Sequence, residues 1–321
     1  MYYRPILKKS FDIVIHHRFL WILGFFAALL TKGSVYDVLW QGWNFIVSRT
    51  SIISTRVSWF TVTEGGWVES FQTSPWLVVL SLILLAILTA GFIFFAVSAQ
   101  GGLIFAAKKL SRPIGKTDLK TAWKEGMKKF WHLLIFNLLG QILIFILLFL
   151  ASLPVFLNIG GERGVGYLFS FISFLVFVPL ALVVSFVMIY GLNYIMLKKA
   201  DIREAFHESF SLFKNFWLQS LEFALIILGL NLLLVLAFGF IFLSLFLPFL
   251  ILGSGLFLLF GVIGLWINVI ILISLCFIVF VLVGSVFAAF QMVAWTLFYL
   301  KISKGKFPSK LFRILEPIFR K

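Results

Sequence analysis

Long stretches without a single charge alternate along this chain with short, lysine-rich ones. The charge-free runs cover 70–107, 130–161, 164–197 and 223–300. A membrane-crossing helix needs about 20 consecutive apolar residues. Each of the first three runs holds one such helix, and the last is long enough for at least two. A further apolar stretch, Phe19 to Leu30, predicts a first span from about His17 to Thr31. The pattern therefore predicts an all-α polytopic membrane protein with six or seven spans. The span from Trp76 to Ala107 would measure about 48 Å at 1.5 Å per residue, against about 30 Å of hydrocarbon, so it must tilt or protrude.

The placement of charge selects six. Short cytoplasmic loops carry the excess of Lys and Arg. With six spans and the N-terminus inside, only Lys32, Arg49, Arg56 and Arg163 of the 27 Lys and Arg residues fall outside. A seventh span would put the seven C-terminal cations outside as well. Both termini are thus expected in the cytoplasm of a cell with a multi-pass membrane protein, and Pro248 to Trp266, with Gly253, Gly255, Gly261 and Gly264, is expected to form an outer turn or re-entrant piece. The outer segment from Lys32 to Pro75 carries Trp40, Trp43, Trp59 and Trp67. Its Val35, Leu39, Trp43 and Ile46 recur at helical spacing, which predicts a helix lying at the headgroup level.

Two loops share one pattern. Asp118-Leu-Lys-Thr-Ala122-Trp123-Lys-Glu125-Gly126, running on to Phe130 and Trp131, matches Asp201-Ile-Arg-Glu-Ala205-Phe206-His-Glu208-Ser209, running on to Phe213, Phe216 and Trp217. Similarity at a fixed separation is a repeat signal. Leu119, Ala122, Trp123, Gly126, Met127 and Phe130 form one apolar stripe with lysines opposite, as do Ile202, Ala205, Phe206, Phe213 and Phe216. Such segments predict helices in the plane of the cytoplasmic interface, anchored by Trp123, Phe130, Trp131, Phe206, Phe213 and Trp217. Asp118 and Asp201 stand at N-cap positions. Lys8 to Phe11 through Phe19 to Trp21 reads as a degenerate third copy, giving three units of surface helix plus hairpin.

Composition agrees with this picture. The chain is 62% hydrophobic and 12% charged, with a mean hydropathy of +1.11, whereas a soluble domain carries about 25% charged residues. The net charge of +15 sits at membrane edges, so the expected partners are membrane lipids with anionic headgroups at the cytoplasmic face, not nucleic acid; a protein partner is not readable. The single cysteine, Cys276, rules out an internal disulfide. The basic N-terminus before an apolar stretch superficially resembles a signal peptide, but Thr31 to Ser34 lack a small-residue cleavage pattern, so a retained span is expected.

No catalytic signature, cofactor motif or metal-ligand set emerges. Gly115-Lys116-Thr117 has no glycine at position 110 and has Pro113 intervening, so it is no phosphate loop. The glycines between 160 and 166 follow no strand. His16 and His17 diverge on a helix, and His132 and His207 lack ligand partners. Polar residues inside the spans are the one chemical lead. Gln100, Asn137, Gln141, Asn193, Glu222 and Gln291 lie some 4 to 10 residues in from the cytoplasmic edge, and such groups face a bundle interior or a wet cavity. They read first as interhelical hydrogen bonds, each worth about 0.6 kcal/mol, and alternatively as a cytoplasm-facing polar cavity. Glu222 is expected to pair with Lys214; the alternative is a protonated carboxyl serving as a coupling site.

Lys8-Lys9-Ser10-Phe11 with His17-Arg18-Phe19-Leu20-Trp21-Ile22-Leu23-Gly24, then Gly101-Gly102-Leu103-Ile104, then the Ala-Trp-x-Glu-Gly and Ala-Phe-x-Glu-Ser helices, resemble uncharacterised prokaryotic membrane proteins labelled glycerophosphodiester phosphodiesterase membrane domain-like. The resemblance implies this topology in a bacterial or archaeal cell membrane. It does not bring the hydrolase, which in fused members belongs to a separate soluble domain; only 21 residues follow Leu300 here. The expected organisation is a single membrane domain. Residues 1–107 carry the first surface helix, spans 1 and 2 and the Trp-rich segment; 108–197 and 198–300 each carry a surface helix and two spans; 301–321 form a basic tail. The expected function is non-enzymatic membrane organisation or scaffolding, with a transporter or lipid-handling protein as the alternative and an intramembrane enzyme last.

Overall fold

Uninterrupted apolar sequence in hydrocarbon must satisfy its backbone hydrogen bonds within the segment, which leaves the helix as the local solution for these runs. A computed structural model of the chain describes residues 3–28, 75–112, 114–156, 163–198 and 200–305. Every regular element among them is an α-helix: α1 Arg4–His16, α2 Phe19–Ala28, α3 Pro75–Leu110, α4 Leu119–Lys128, α5 Phe130–Phe156, α6 Arg163–Lys198, α7 Ile202–Asn215 and α8 Trp217–Ile302. Four of them, α3, α5, α6 and α8, are long and apolar enough to cross a membrane, and they mark the protein as membrane-embedded. The Trp-rich segment, most of the outer glycine turn near 160 and the tail beyond 305 lie outside the described residues.

The chain divides into two compact units. The first comprises the described parts of Met1–Leu29, Gly102–Gly126 and Lys214–Lys321. Here α1 and α2 meet at 109°, and the corner is fastened by the Trp21 indole donating to the Val14 carbonyl at 2.8 Å. Both helices pack on α8. The approach of α2 is close: a Cβ on Gly24 would lie 2.2 Å from the Ser285 carbonyl oxygen and 2.8 Å from the Ala289 Cβ. Likewise a Cβ on Gly102 would lie 2.9 Å from the Ala122 carbonyl oxygen, so the end of α3 and α4 touch backbone to backbone. Small residues allow such approach where lipid supplies no hydrophobic drive between helices.

The 86 residues of α8 are not one rod. Gly261 has φ 61° and ψ −142°, a backbone region open essentially to glycine alone. The two arms run back antiparallel. Phe223 stacks on Phe298 with centroids 4.4 Å apart, Gln291 reaches Asn231 at 2.8 Å, Phe238 meets Phe280, and the Asn268 amide donates to the Phe249 carbonyl at 2.9 Å. The reversal expected somewhere in Pro248 to Trp266 is thus confined to one residue, and Pro248, Gly253, Gly255 and Gly264 are helical. A tight fold-back needs one left-handed residue plus small flanks: a Cβ on Gly264 would sit 2.2 Å from the Leu256 carbonyl oxygen.

The second unit comprises the described parts of Leu30–Gly101 and Met127–Phe213. Helices α5 and α6 pack along each other through Ile144, Val178 and Ala181, with Leu147, Leu148 and Phe174 around them. The Ser173 hydroxyl donates across to the Ala151 carbonyl at 3.1 Å. Gly191 and Gly140 let the Phe136 ring and the Met188 thioether fill the remaining contact.

The two loops that share a pattern are helical, as α4 and α7. Ala122 and Gly126 are buried in one, Ala205 and Ser209 in the other. The same spacing recurs in α1, where Ile6 and Ser10 are buried. Asp118 and Asp201 immediately precede their helices, and their backbone carbonyls accept from Ala122 and Ala205. Each of these helices leads into an apolar one across one or two residues: His17 and Arg18, Lys129, and Phe216.

Candidate functional site

Four of the six residues singled out inside the spans, Gln100, Asn137, Glu222 and Gln291, bond another side chain. In the second unit the Asn137 amide donates to the Gln100 carbonyl oxygen at 2.8 Å, joining α5 to α3. Asn193, on α6, is buried, and its amide bonds the Ile189 carbonyl of its own helix at 2.8 Å. Its side-chain oxygen has no hydrogen-bond partner among the described residues. Gln141 lies on α5 and also has a partner. In the first unit Gln291 bonds Asn231, a residue that counting inward from the cytoplasmic edge did not reach because it lies 14 positions beyond Trp217.

Glu222 differs from the sequence expectation. Its carboxylate accepts from the Tyr3 hydroxyl, contributed from 219 positions away, in the place given to Lys214. The carboxyl is only 8% exposed. Around it Tyr3 packs on Phe223 and Phe298, and Trp295 meets both of those rings. Burial beside four aromatic rings makes a hydroxyl the fitting partner, whereas Lys214 lies at an exposed position where its ammonium keeps its water.

The six anchoring residues separate into two groups. Trp131, Trp217 and Phe206 stay outward, at 68%, 55% and 45% exposure. Trp123 turns to Phe26, Phe130 to Phe94, and Phe213 stacks on Phe186 at 5.2 Å. A stripe at helical spacing does not tell an anchor in lipid from a contact with protein.

None of the six intramembrane polar residues lines either described cavity. One cavity, in the second unit, holds about 630 Å³ and is lined by side chains of α5, α6 and α7. It is apolar except for Arg203 and His207. The other, in the first unit, holds about 550 Å³. Five cations from three separate segments line it: Lys9 of α1, Lys108 and Arg112 at the end of α3, and Lys301 and Lys304 at the end of α8. Pro5, Ile6, Leu297 and Leu300 supply its apolar lining, and among the described residues no carboxylate contributes. The Lys9 ammonium donates to the Ser111 carbonyl at 2.6 Å. The sequence showed these cations only as membrane-edge charge; that three edges meet around one cavity is a tertiary fact. No protein-family model, no curated protein and no solved structure matches the chain.

Proposed function

We propose that this protein is a non-enzymatic integral membrane protein that organises the cytoplasmic leaflet of a prokaryotic cell membrane. Six spans are arranged as three units of surface helix plus hairpin, with both termini on the basic side. The observation that carries this reading is the pairing of the intramembrane polar groups: Asn137 with Gln100, Gln291 with Asn231 and Glu222 with Tyr3. Groups already bonded to one another hold helices together and leave little to receive a solute. The buried small residues of α1, α4 and α7, each on a helix leading directly into an apolar one, support the threefold unit. The resemblance to the glycerophosphodiester phosphodiesterase membrane domain-like proteins agrees with it and assigns no hydrolase.

The second reading, lipid handling, draws on the apolar cavity beside Arg203 and His207, whose composition suits an amphiphile. Cysteine accessibility separates the two. In a chain carrying Cys276→Ala, single cysteines at 137, 222 and 291 are exposed to a membrane-impermeant thiol reagent. Under the organising reading all three stay unmodified in the intact membrane. Modification of all three from one side would establish a wet layer and replace that reading with transport or lipid handling.

A further inference from the structure

The cavity of the second unit is built from two helix faces of unlike chemistry. On α7, Arg203, Phe206, His207 and Phe210 stand at i, i+3, i+4 and i+7, the spacing of a single face, and all four line the cavity. Another side of α7 holds it to the protein, through the buried Ala205 and Ser209. Phe206 and Phe210 are left 45% and 49% exposed. Glu208 is engaged away from the cavity, where it accepts from the Tyr194 hydroxyl at 3.2 Å. On α5 the lining residues run from Phe136 to Ile146, about 15 Å of helix. That is half of the roughly 30 Å of hydrocarbon, the depth of one leaflet. Between them Gly140 lets the wall close on α6, since a Cβ there would lie 2.1 Å from the Met188 sulfur.

This lining narrows the ligand. A volume of about 630 Å³ falls within the roughly 300–1,000 Å³ of small-ligand sites, and walls of aliphatic and aromatic side chains suit a run of methylenes better than a polar solute. The Arg203 guanidinium adds a permanent charge with a planar two-point grip on a phosphate, and the His207 ring can supply a further N–H. Methylenes joined to an anion describe an anionic phospholipid, and the leaflet-deep stripe on α5 gives one of its chains a place to lie. We infer that this cavity holds one acyl chain of an anionic phospholipid, with the phosphate at Arg203. The inference deepens the organising function proposed above and rests on it: a lipid retained between α7 and the spans ties the protein to its leaflet.

The test uses the full chain purified in a mild detergent and titrated with phosphatidylglycerol or phosphatidylcholine, with bound lipid counted by native mass spectrometry. Phosphatidylglycerol is expected to be retained in preference to phosphatidylcholine. Arg203→Gln should weaken it roughly fivefold, the equivalent of about 1 kcal/mol for one cation. Lys129→Gln, which removes the same charge outside the lining, should change it less than about twofold. Leu139→Trp and Ile142→Trp, both at exposed positions of the wall, fill the cavity, and each should cut retention about tenfold, the equivalent of excluding about two methylenes. Leu138→Trp, exposed on α5 but outside the lining, should leave it unchanged. Equal losses from Leu138→Trp and Leu139→Trp would mean lipid that merely coats the helix and would overturn the site. Equal retention of the two lipids would overturn the anionic assignment. A dimer that Leu139→Trp converts to monomer with lipid retention unchanged would give the cavity to a second copy of the chain instead. The cysteine accessibility of positions 137, 222 and 291 is read separately from lipid retention, so failure of the lipid site is distinguishable from failure of the organising function.

Discussion

At the scale of single residues, what matters is whether a polar group in the spans has a partner. Asn137 and Gln100 satisfy each other across two helices, so Asn137→Leu strands a glutamine carbonyl oxygen. Among the described residues Asn193 bonds its own helix and its side-chain oxygen has no hydrogen-bond partner. Asn193→Leu removes that orphan at nearly constant volume. Replacing a satisfied partner costs the desolvation of the group left behind, about 1–3 kcal/mol, whereas removing an unsatisfied group is neutral or favourable. Thermal unfolding in detergent should therefore show Asn137→Leu falling and Asn193→Leu level or rising; the reverse order would mean Asn193 has a partner beyond these residues. Tyr3 and Glu222 carry the same logic across the length of the chain. Tyr3→Phe and Glu222→Gln should be non-additive, with a coupling of roughly 1 kcal/mol, and strict additivity would show the hydroxyl contact to be incidental. The sequence exposed Glu222 as a lone carboxylate in an apolar run. It could not expose the partner, because no local pattern links positions 219 apart.

At the scale of elements, the charge-free runs made the spans legible and the amphipathic period made α4 and α7 legible. The reversal in α8 was legible only as a zone. A helix that is apolar all round has no periodicity to break, so only Gly and Pro mark its ends, and the zone from 248 to 266 contained five of them. Which one takes the positive φ depends on how the arms register, and register is tertiary. Gly261 and Gly255 show the difference. A Cβ at either would meet no neighbouring atom, so space does not distinguish them. Gly255 is helical, and Gly255→Ala should stabilise by up to about 1 kcal/mol through helix propensity. Gly261→Ala forces an alanine into glycine-only backbone and should cost about 1–3 kcal/mol. Comparing the two variants by unfolding temperature checks the hairpin directly: equal effects would mean the reversal is not at Gly261.

At the scale of the whole molecule, the sequence order suggested three consecutive units, yet packing closes α1 and α2 onto α8, from the far end of the chain. Repeats announce similar segments, not which copies meet, and contacts such as Gly24 against Ser285 leave no local trace. The closure bears on the parity of the proposed crossings. Lys9, Arg112 and Lys304 line one cavity within one compact unit, so under the proposed arrangement α1, the end of α3 and the end of α8 share one face of the membrane. The chain must then cross an even number of times between Lys9 and Arg112, and again between Arg112 and Lys301. The proposed arrangement meets this requirement, with two crossings assigned before Arg112, a first span and α3, and four after it, α5, α6 and the two arms of α8. This argument uses no charge count, and the even number it requires is compatible with the six spans proposed above. In the Cys276→Ala background, cysteines at the exposed positions 8, 116 and 304 should react with an impermeant reagent from one side only. A cysteine at 163, at the start of α6, should react from the other. If 8 and 304 report opposite sides, the number of crossings is odd, and neither the six-span arrangement nor the shared basic cavity survives.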